Sequence, residues 1–437
     1  MLLATSHFKN PETWQVIVVI KLAIRGRMWF LVSIQLKIRS SRRFQVFNFH
    51  VIMLKSLEHL QAGLFSPRSF RTSLATSRVF DLNLSPFTTF EEAHISVVTS
   101  LDLDRVEDRY LLSGANNGDI AIHDLRNYTG DLSFESQIIC VIKRNSPFCH
   151  KYSIKTLQWY PFDTGSFITC SADRTVKIWD TNELKPADTF LMVHNISGHH
   201  MSTVSPSSAL IAVALEHPHV LLLDPRSGSR SHELRGHGKA TAVVRWSPSS
   251  EYLLATGGLD GRILLWDIRS ANGYLMALDQ YSVSSNKSDL VRAHNGCIKC
   301  MNFTDDGLYL VSLGSDECLR LWDVALHKNT LVNFGRVDHG KTLQPNMDIC
   351  YVSSLPFLFV PTGSSISVYD LFSGIEVKSL CAHFHSVTSC VFRSSTCQLY
   401  SAGYDKNILM WTPDCEKEFL RDRGKKKAKT LINGTLI

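Results

Sequence analysis

No apolar run in this chain of 437 residues approaches the ~18 consecutive residues that a membrane-spanning helix needs. The β-branched stretches at 16–20 and 30–32 are broken by Lys21, Arg25 and Arg27, so no membrane span is supported. The same Lys21, with no small-residue cleavage site after it, excludes a secretory signal. No second CxxC accompanies Cys297-Ile-Lys-Cys300, and the eleven cysteines are an odd number scattered through apolar runs. A disulfide framework is excluded, and buried reduced thiols of a cytosolic or nuclear protein are expected rather than zinc or redox chemistry. No metal site and no cofactor is expected. Surplus positive charge is also missing from the body: the formal +6 arises at the ends, where residues 1–52 carry eight Lys/Arg and one acid and residues 413–437 carry seven and four. Residues 53–412 hold 31 Lys/Arg against 35 Asp/Glu. A body of that charge does not track phosphates, which argues against sequence-independent nucleic-acid binding as the main activity.

A composition of 44% hydrophobic and 20% charged residues belongs to a folded globular chain. Residues 1–52 are acid-poor like a mitochondrial presequence but form helix poorly. The plainer expectation is a leader outside the mature fold, with Met53 as the working start. Four later segments superimpose: Ile168-Thr-Cys-Ser-Ala-Asp-Arg-Thr-Val-Lys-Ile-Trp-Asp180, Ala255-Thr-Gly-Gly-Leu-Asp-Gly-Arg-Ile-Leu-Leu-Trp-Asp267, Val311-Ser-Leu-Gly-Ser-Asp-Glu-Cys-Leu-Arg-Leu-Trp-Asp323 and Tyr400-Ser-Ala-Gly-Tyr-Asp-Lys-Asn-Ile-Leu-Met-Trp-Thr412. Each reads as an alternating strand, a tight turn with Asp, and a second strand ending in Trp. Weaker copies end at His123-Asp124, Leu223-Asp224 and Tyr369-Asp370, and successive copies lie 56, 44, 43, 56, 47 and 42 residues apart. This spacing resembles the WD40 family, whose repeats run to about 40–45 residues, with insertions after Asp124 and Asp267. The resemblance implies an all-β, seven-bladed propeller with four strands per blade. The strand pattern at 79–84 is expected to supply the missing outer strand of the last blade.

The repeats also carry a polar cluster. His237, Thr256, Asp260 and Trp266 are spaced so that a loop histidine, a strand hydroxyl, a turn carboxylate and a strand indole meet, each satisfying another's buried polar atoms. The same offsets give His294, Ser312, Asp316, Trp322 and His383, Ser401, Asp405, Trp411. Thr169, Asp173 and Trp179 lack a convincing histidine. A hydroxyl, a His and an Asp could suggest a hydrolase triad, but a set that recurs several times with no strained nucleophile elbow is structural. Gly335-Arg-Val-Asp-His-Gly-Lys-Thr342 matches a phosphate loop, yet Pro345 breaks the helix such a loop must open, and no DxxG exists in the chain. Asn286-Lys-Ser-Asp289, which imitates a guanine-reading box, precedes the loop instead of following it. Nucleotide hydrolysis is therefore rejected.

Two features point outside the propeller. Leu54, Leu57 and Leu64 share one helical stripe with Gln61, and Ser66-Pro67 then starts a second short helix through Phe70 and Leu74. A helical pair at 53–78 with an apolar face is expected to fill a partner's groove more readily than to pack on its own propeller. Trp266-Asp267-Ile268-Arg269 resembles the docking box of WD40 substrate receptors in cullin-4 RING ubiquitin ligases, which meets the adaptor called damage-specific DNA-binding protein. Arg269 suits a bidentate contact with a carboxylate there, or equally an ion pair with Asp267 in its own blade. Further peptides, including Leu157-Gln-Trp-Tyr-Pro-Phe-Asp-Thr-Gly165, His199-His-Met-Ser202, Asn329-Thr-Leu-Val-Asn-Phe-Gly335 and Val360-Pro-Thr-Gly-Ser364, resemble the Cockayne syndrome group A family of excision-repair WD-repeat proteins, from residue 53 to about 411. The tail departs from that family: it ends basic, Arg421-Asp-Arg-Gly-Lys-Lys-Lys-Ala-Lys429, as an import signal or a solvated tail at 413–437.

The resemblance implies a nuclear, non-catalytic substrate receptor of a cullin-4 RING ligase in transcription-coupled nucleotide excision repair. Leu54, Leu57, Leu64, Phe70 and Arg269 would meet the adaptor. Cullin-4 and the RING subunit would supply the ubiquitin chemistry. The propeller at 79–412 would recognise RNA polymerase II and the Cockayne group B ATPase, with no small-molecule ligand and no membrane involved. The rival expectation is a general WD40 scaffold in a chromatin or RNA-processing complex.

Overall fold

The computed structural model describes residues 3–8, 14–24, 27–38, 61–63, 66–86, 88–126, 134–206, 210–270, 273–281, 291–340, 342, 344–350 and 356–413. The chain divides into two compact units, Met1–Arg71 and Thr72–Ile437. In the first, the β-branched leader forms a three-stranded antiparallel meander, Leu3–Phe8, Trp14–Ile24 and Arg27–Ile38, with Leu3 opposite Val19 and Trp14 opposite Ile38.

The second unit is a ring of seven four-stranded antiparallel sheets. The innermost strands of blades 1 to 7 are Val98–Leu103, Ile154–Trp159, Ile196–Met201, Thr241–Trp246, Ile298–Phe303, Asp348–Cys350 and Val387–Arg393. Alternation along the strands sends one row of apolar side chains into each space between blades, where Trp179, Trp266, Trp322 and Trp411 are almost wholly enclosed. Neighbouring blades interlock at their turns. Gly261, at φ +76° in the turn of blade 4, lies so close to the next blade that a Cβ would come within 2.5 Å of the His294 carbonyl oxygen, so only glycine fits.

The ring closes through Leu82–Leu84, which pairs antiparallel with Ile408–Pro413 as the outer strand of blade 7 (Trp411 opposite Leu84, Pro413 opposite Leu82). This corrects the expectation of a strand from Val79, because residues 79 and 80 still belong to helix α1, Pro67–Phe80. Ser66 caps that helix, its Oγ accepting the Ser69 N–H at 3.1 Å, with Pro67 in the first helical position. Thr72–Phe80 packs on the propeller. Ala75 and Val79 are buried in one cluster with Phe357, Val368 and Trp411, and Phe80 meets Phe357 edge-on at 5.5 Å. Lys378 of blade 6 donates to the Phe80 carbonyl (3.0 Å), satisfying a helix end that would otherwise lack partners. The helical face expected to await a partner is thus partly used by the protein itself.

Candidate interaction surface

Because strands alternate in direction, the loops entering the inner strands and the turns between second and third strands share one end of the propeller. The 1–2 and 3–4 connections share the other. The polar clusters occupy the first end. In blade 4 the Trp266 indole donates to Thr256 Oγ1 (2.7 Å), whose hydroxyl donates to His237 Nε2 (2.8 Å), and His237 Nδ1–H donates to Asp260 (3.2 Å). In blade 5, Trp322 and His294 meet Ser312 at 2.8 and 2.7 Å and His294 reaches Asp316 at 2.9 Å. In blade 7, Trp411 and His383 meet Ser401 at 2.8 and 2.7 Å, and His383 reaches Asp405 at 2.7 Å. Asp260 and Asp316 also accept the backbone N–H of Gly238 (2.9 Å) and Asn295 (3.1 Å), fixing the loop that bears each histidine.

Blade 2 overturns one sequence reading. Thr169, Asp173 and Trp179 do have a histidine: His150 Nε2 and Nδ1 lie 2.7 Å from Thr169 and 2.9 Å from Asp173, and Trp179 donates to Thr169 at 2.8 Å. Its offset of 19 residues to the hydroxyl equals that of His237 to Thr256, so the spacing that marks the other clusters marks this one too. Burial lowers the pKa of His150 and His294 despite the adjacent carboxylates. Burial pushes Asp173 and Asp316 up, but the histidine contacts together with Thr175 or Arg320 and a backbone N–H outweigh it and hold both carboxyls well below the usual range. All four hydroxyls are fully enclosed, and each is engaged by an indole and an imidazole, so none is free to attack a substrate. The phosphate-loop string likewise lacks its scaffold: from Gly335 to the inner strand at Asp348 no described residue is helical, and Thr342 Oγ1 donates to the His339 carbonyl at 2.6 Å. Lys341 and residues 286–289 lie outside the described residues.

At the opposite end, Arg269 follows the third strand of blade 4. Its Nε and Nη2 donate to the two Asp267 carboxylate oxygens at 3.0 and 2.7 Å, and its guanidinium lies 4.3 Å from the centre of the Tyr252 ring. The side chain remains 64% exposed, a pre-oriented cation whose outer edge faces solvent. The outer strand of blade 7 starts at this end, since Leu82 pairs with Pro413, so the C-terminal half of α1 enters the propeller on the face that carries Arg269. Phe70 is half-buried on α1, whereas Leu54, Leu57 and Leu64 lie outside the described residues. Among the described residues no group of His, Cys, Asp or Glu is placed to hold a metal ion, and no helix is long and apolar enough to cross a membrane.

The WD domain, G-beta repeat family matches residues 143–180, 228–267, 286–323 and 374–412, the four stretches that hold complete clusters. WD repeat-containing protein ATCSA-1 of Arabidopsis thaliana is 33% identical over 445 residues, covering 85% of this chain and 98% of that protein. The chain belongs to the WD-repeat proteins. Radiation-sensitive protein 28 of Saccharomyces cerevisiae is 32% identical over 197 residues, 40% of this chain and 38% of its own length. Nuclear distribution protein PAC1-2 of Uncinocarpus reesii is 26% identical over 294 residues, 61% of this chain and 60% of its own length. A propeller of this kind is in general a non-catalytic interaction scaffold.

Proposed function

We propose that this WD-repeat scaffold is the substrate receptor of a cullin-4 RING ubiquitin ligase in transcription-coupled nucleotide excision repair, and acts in the nucleus. The observation that carries the reading is that the C-terminal half of α1, Thr72–Phe80, and the pre-oriented Arg269 share one face, away from the polar clusters. One end can then hold the adaptor while the other stays open to RNA polymerase II and the Cockayne group B ATPase. Similarity along almost the whole of ATCSA-1, and to a yeast protein named for radiation sensitivity, supports a role in DNA damage. The receptor performs no bond chemistry. It raises the local concentration of a bound substrate beside the enzyme that cullin-4 and the RING subunit recruit.

Purification of tagged protein from UV-irradiated cells tests the reading directly: the damage-specific DNA-binding adaptor and cullin-4 should co-purify. Their absence would favour a general scaffold in chromatin or RNA processing. With purified adaptor, Leu57→Asp and Arg269→Glu should each weaken binding, the latter by about tenfold or more if the contact is desolvated, and the double change should abolish it. Because Arg269 already satisfies Asp267, a much smaller loss would assign it to the intrablade pair and leave the docking to the helices.

A further inference from the structure

Thr388 of blade 7 donates to the Val98 carbonyl (2.6 Å) and Thr99 of blade 1 to the Ile154 carbonyl (2.7 Å), so the inner strands of blades 7, 1 and 2 begin side by side. The loop into each carries a histidine, His383, His94 or His150, that reaches inward to a strand hydroxyl. The residue after each histidine faces solvent: Phe384 is 84% exposed, Ile95 82%, and Lys151 is exposed as well. Tyr152, which follows Lys151, is also exposed. In blades 4 and 5 the residue after the cluster histidine is Gly238 or Asn295, with no apolar side chain to offer. Large apolar side chains gathered on one exposed arc mark a contact surface.

Charge on this arc is sorted by depth. Asp119, Asp173 and Asp405, in the turns of blades 1, 2 and 7, are turned inward and enclosed. Asp119 accepts the Arg144 N–H (2.7 Å) and the Asn117 amide (2.6 Å), Asp173 accepts the Lys151 N–H (3.1 Å) beside its bond to His150, and Asp405 is held by His383. The side chains of Arg144, Lys151 and Lys406, next to these same turns, are exposed. Glu91 is drawn away from this end, because it accepts the N–H of Ile138, which lies opposite His123 towards the other end of blade 1. Among the described residues of the three loops, Glu92 is then the one other carboxylate, against Lys143, Arg144 and Lys151. The outward charge of the arc is positive.

We propose that this arc over blades 7, 1 and 2 docks an acidic segment of a partner protein. Carboxylates of the segment meet Arg144, Lys151 and Lys406, and its apolar side chains cover Ile95, Tyr152 and Phe384. The inference rests on the reading of the chain as a receptor, and it specifies the chemistry that the open end selects. A nucleic acid also brings negative charge and stacking faces, but the turn carboxylates lie directly beneath the bases, and residues 53–412 carry more acid than base.

A random peptide library displayed on phage, panned against the full chain, tests the surface. Enriched sequences should be rich in Asp and Glu interleaved with Phe, Leu or Ile, and synthetic copies should bind more weakly as salt rises. The double variant Arg144→Glu with Lys151→Glu, checked for folding by circular dichroism, should lose about tenfold or more in affinity for them. Lys185→Glu should bind as the wild type does, since Lys185 pairs opposite Asp180 at the other end of blade 2. No enrichment, enrichment of neutral or basic sequences, or unchanged affinity in the folded double variant would overturn the proposal. Displacement of the peptide by an equimolar single-stranded oligonucleotide would also overturn it, and would assign the arc to nucleic acid. Should the double variant fail to fold, carbodiimide coupling of an enriched peptide to the wild type decides: links to Lys151 or Lys406 support the arc, and links elsewhere or none refute it. Adaptor and cullin-4 missing from the purification above, with this selection intact, would end the ligase reading and keep the surface; the reverse pattern would end the surface alone.

Discussion

Blades 2, 4, 5 and 7 and blades 1, 3 and 6 have the same four-stranded shape, yet they close the same end in different ways. The first group uses the indole, hydroxyl, imidazole and carboxylate chain. In blade 3 the equivalent positions are Leu223, Val213, His194 and His217: the two apolar residues are buried in a core, while His194 turns outward and stacks on His217 at 4.3 Å. Blade 6 puts Tyr369 and Phe359 at the indole and hydroxyl positions, with Phe359 stacked on Phe392 of blade 7 at 5.1 Å. Polar satisfaction and apolar packing are thus interchangeable solutions, provided each is complete. Blade 1 is the intermediate case. His94 reaches Ser113 at 2.7 Å, but His123 fills the indole position, and neither of its ring nitrogens finds a partner among the described residues.

The comparison breaks most clearly at the indole. Trp266→Ala removes both one of the two buried tryptophans of blade 4 and the donor to Thr256, and a loss of about 3–5 kcal/mol is expected in denaturant titration. Next come the smaller members. Asp260→Ala, which strands His237 and two loop N–H groups, should cost about 1–3 kcal/mol, whereas His217→Ala at the matching place in blade 3 should stay within about 0.5 kcal/mol. His150→Ala against His194→Ala repeats the contrast between blades 2 and 3. Equal losses in the two members of either pair would show that the cluster is not what holds these blades closed.

Those contrasts also mark what could be read in the chain of letters. The seven copies, the ring closure near residue 84 and three clusters were legible because each blade repeats one spacing, and spacing survives substitution of the residues between. His150 carries the same offset, 19 residues before Thr169 as His237 is before Thr256, and the residue preceding it is no guide, since His294 and His383 follow alanine just as His150 follows cysteine. The offset is set by strand length, which is the physical constraint; the preceding residue is not. The start of the closing strand was misplaced because the pattern at 79–84 alternates acceptably for a strand, while tertiary packing of Ala75 and Val79 extends the helix to Phe80. Nothing local in sequence showed that Asp102, His200, Arg245 and Asp348 line one channel, since that depends on ring closure.

The finest test uses the incomplete blade. Burial lowers His123 to about 3 and His94 to about 4, and each positive charge would oppose the other. In the unfolded chain both titrate near 6.5. The folded state therefore refuses protons that the unfolded state accepts, so stability is intact above pH 6.5 and is lost progressively as the pH falls from 6.5, through about 4 for His94 and about 3 for His123. His123→Leu copies the solution of blade 3, where Leu223 is buried at this position. It removes two unpaired nitrogens and one of the two titrating groups, leaving the His94 to Ser113 bond in place. Two effects are expected in thermal melts: a gain of about 1 kcal/mol at neutral pH, and a shallower fall in Tm between neutral and mildly acidic buffer than the wild type shows. A variant that melts lower at neutral pH and keeps the wild-type slope would show that His123 is satisfied in solution, and that blade 1 is as complete as its neighbours.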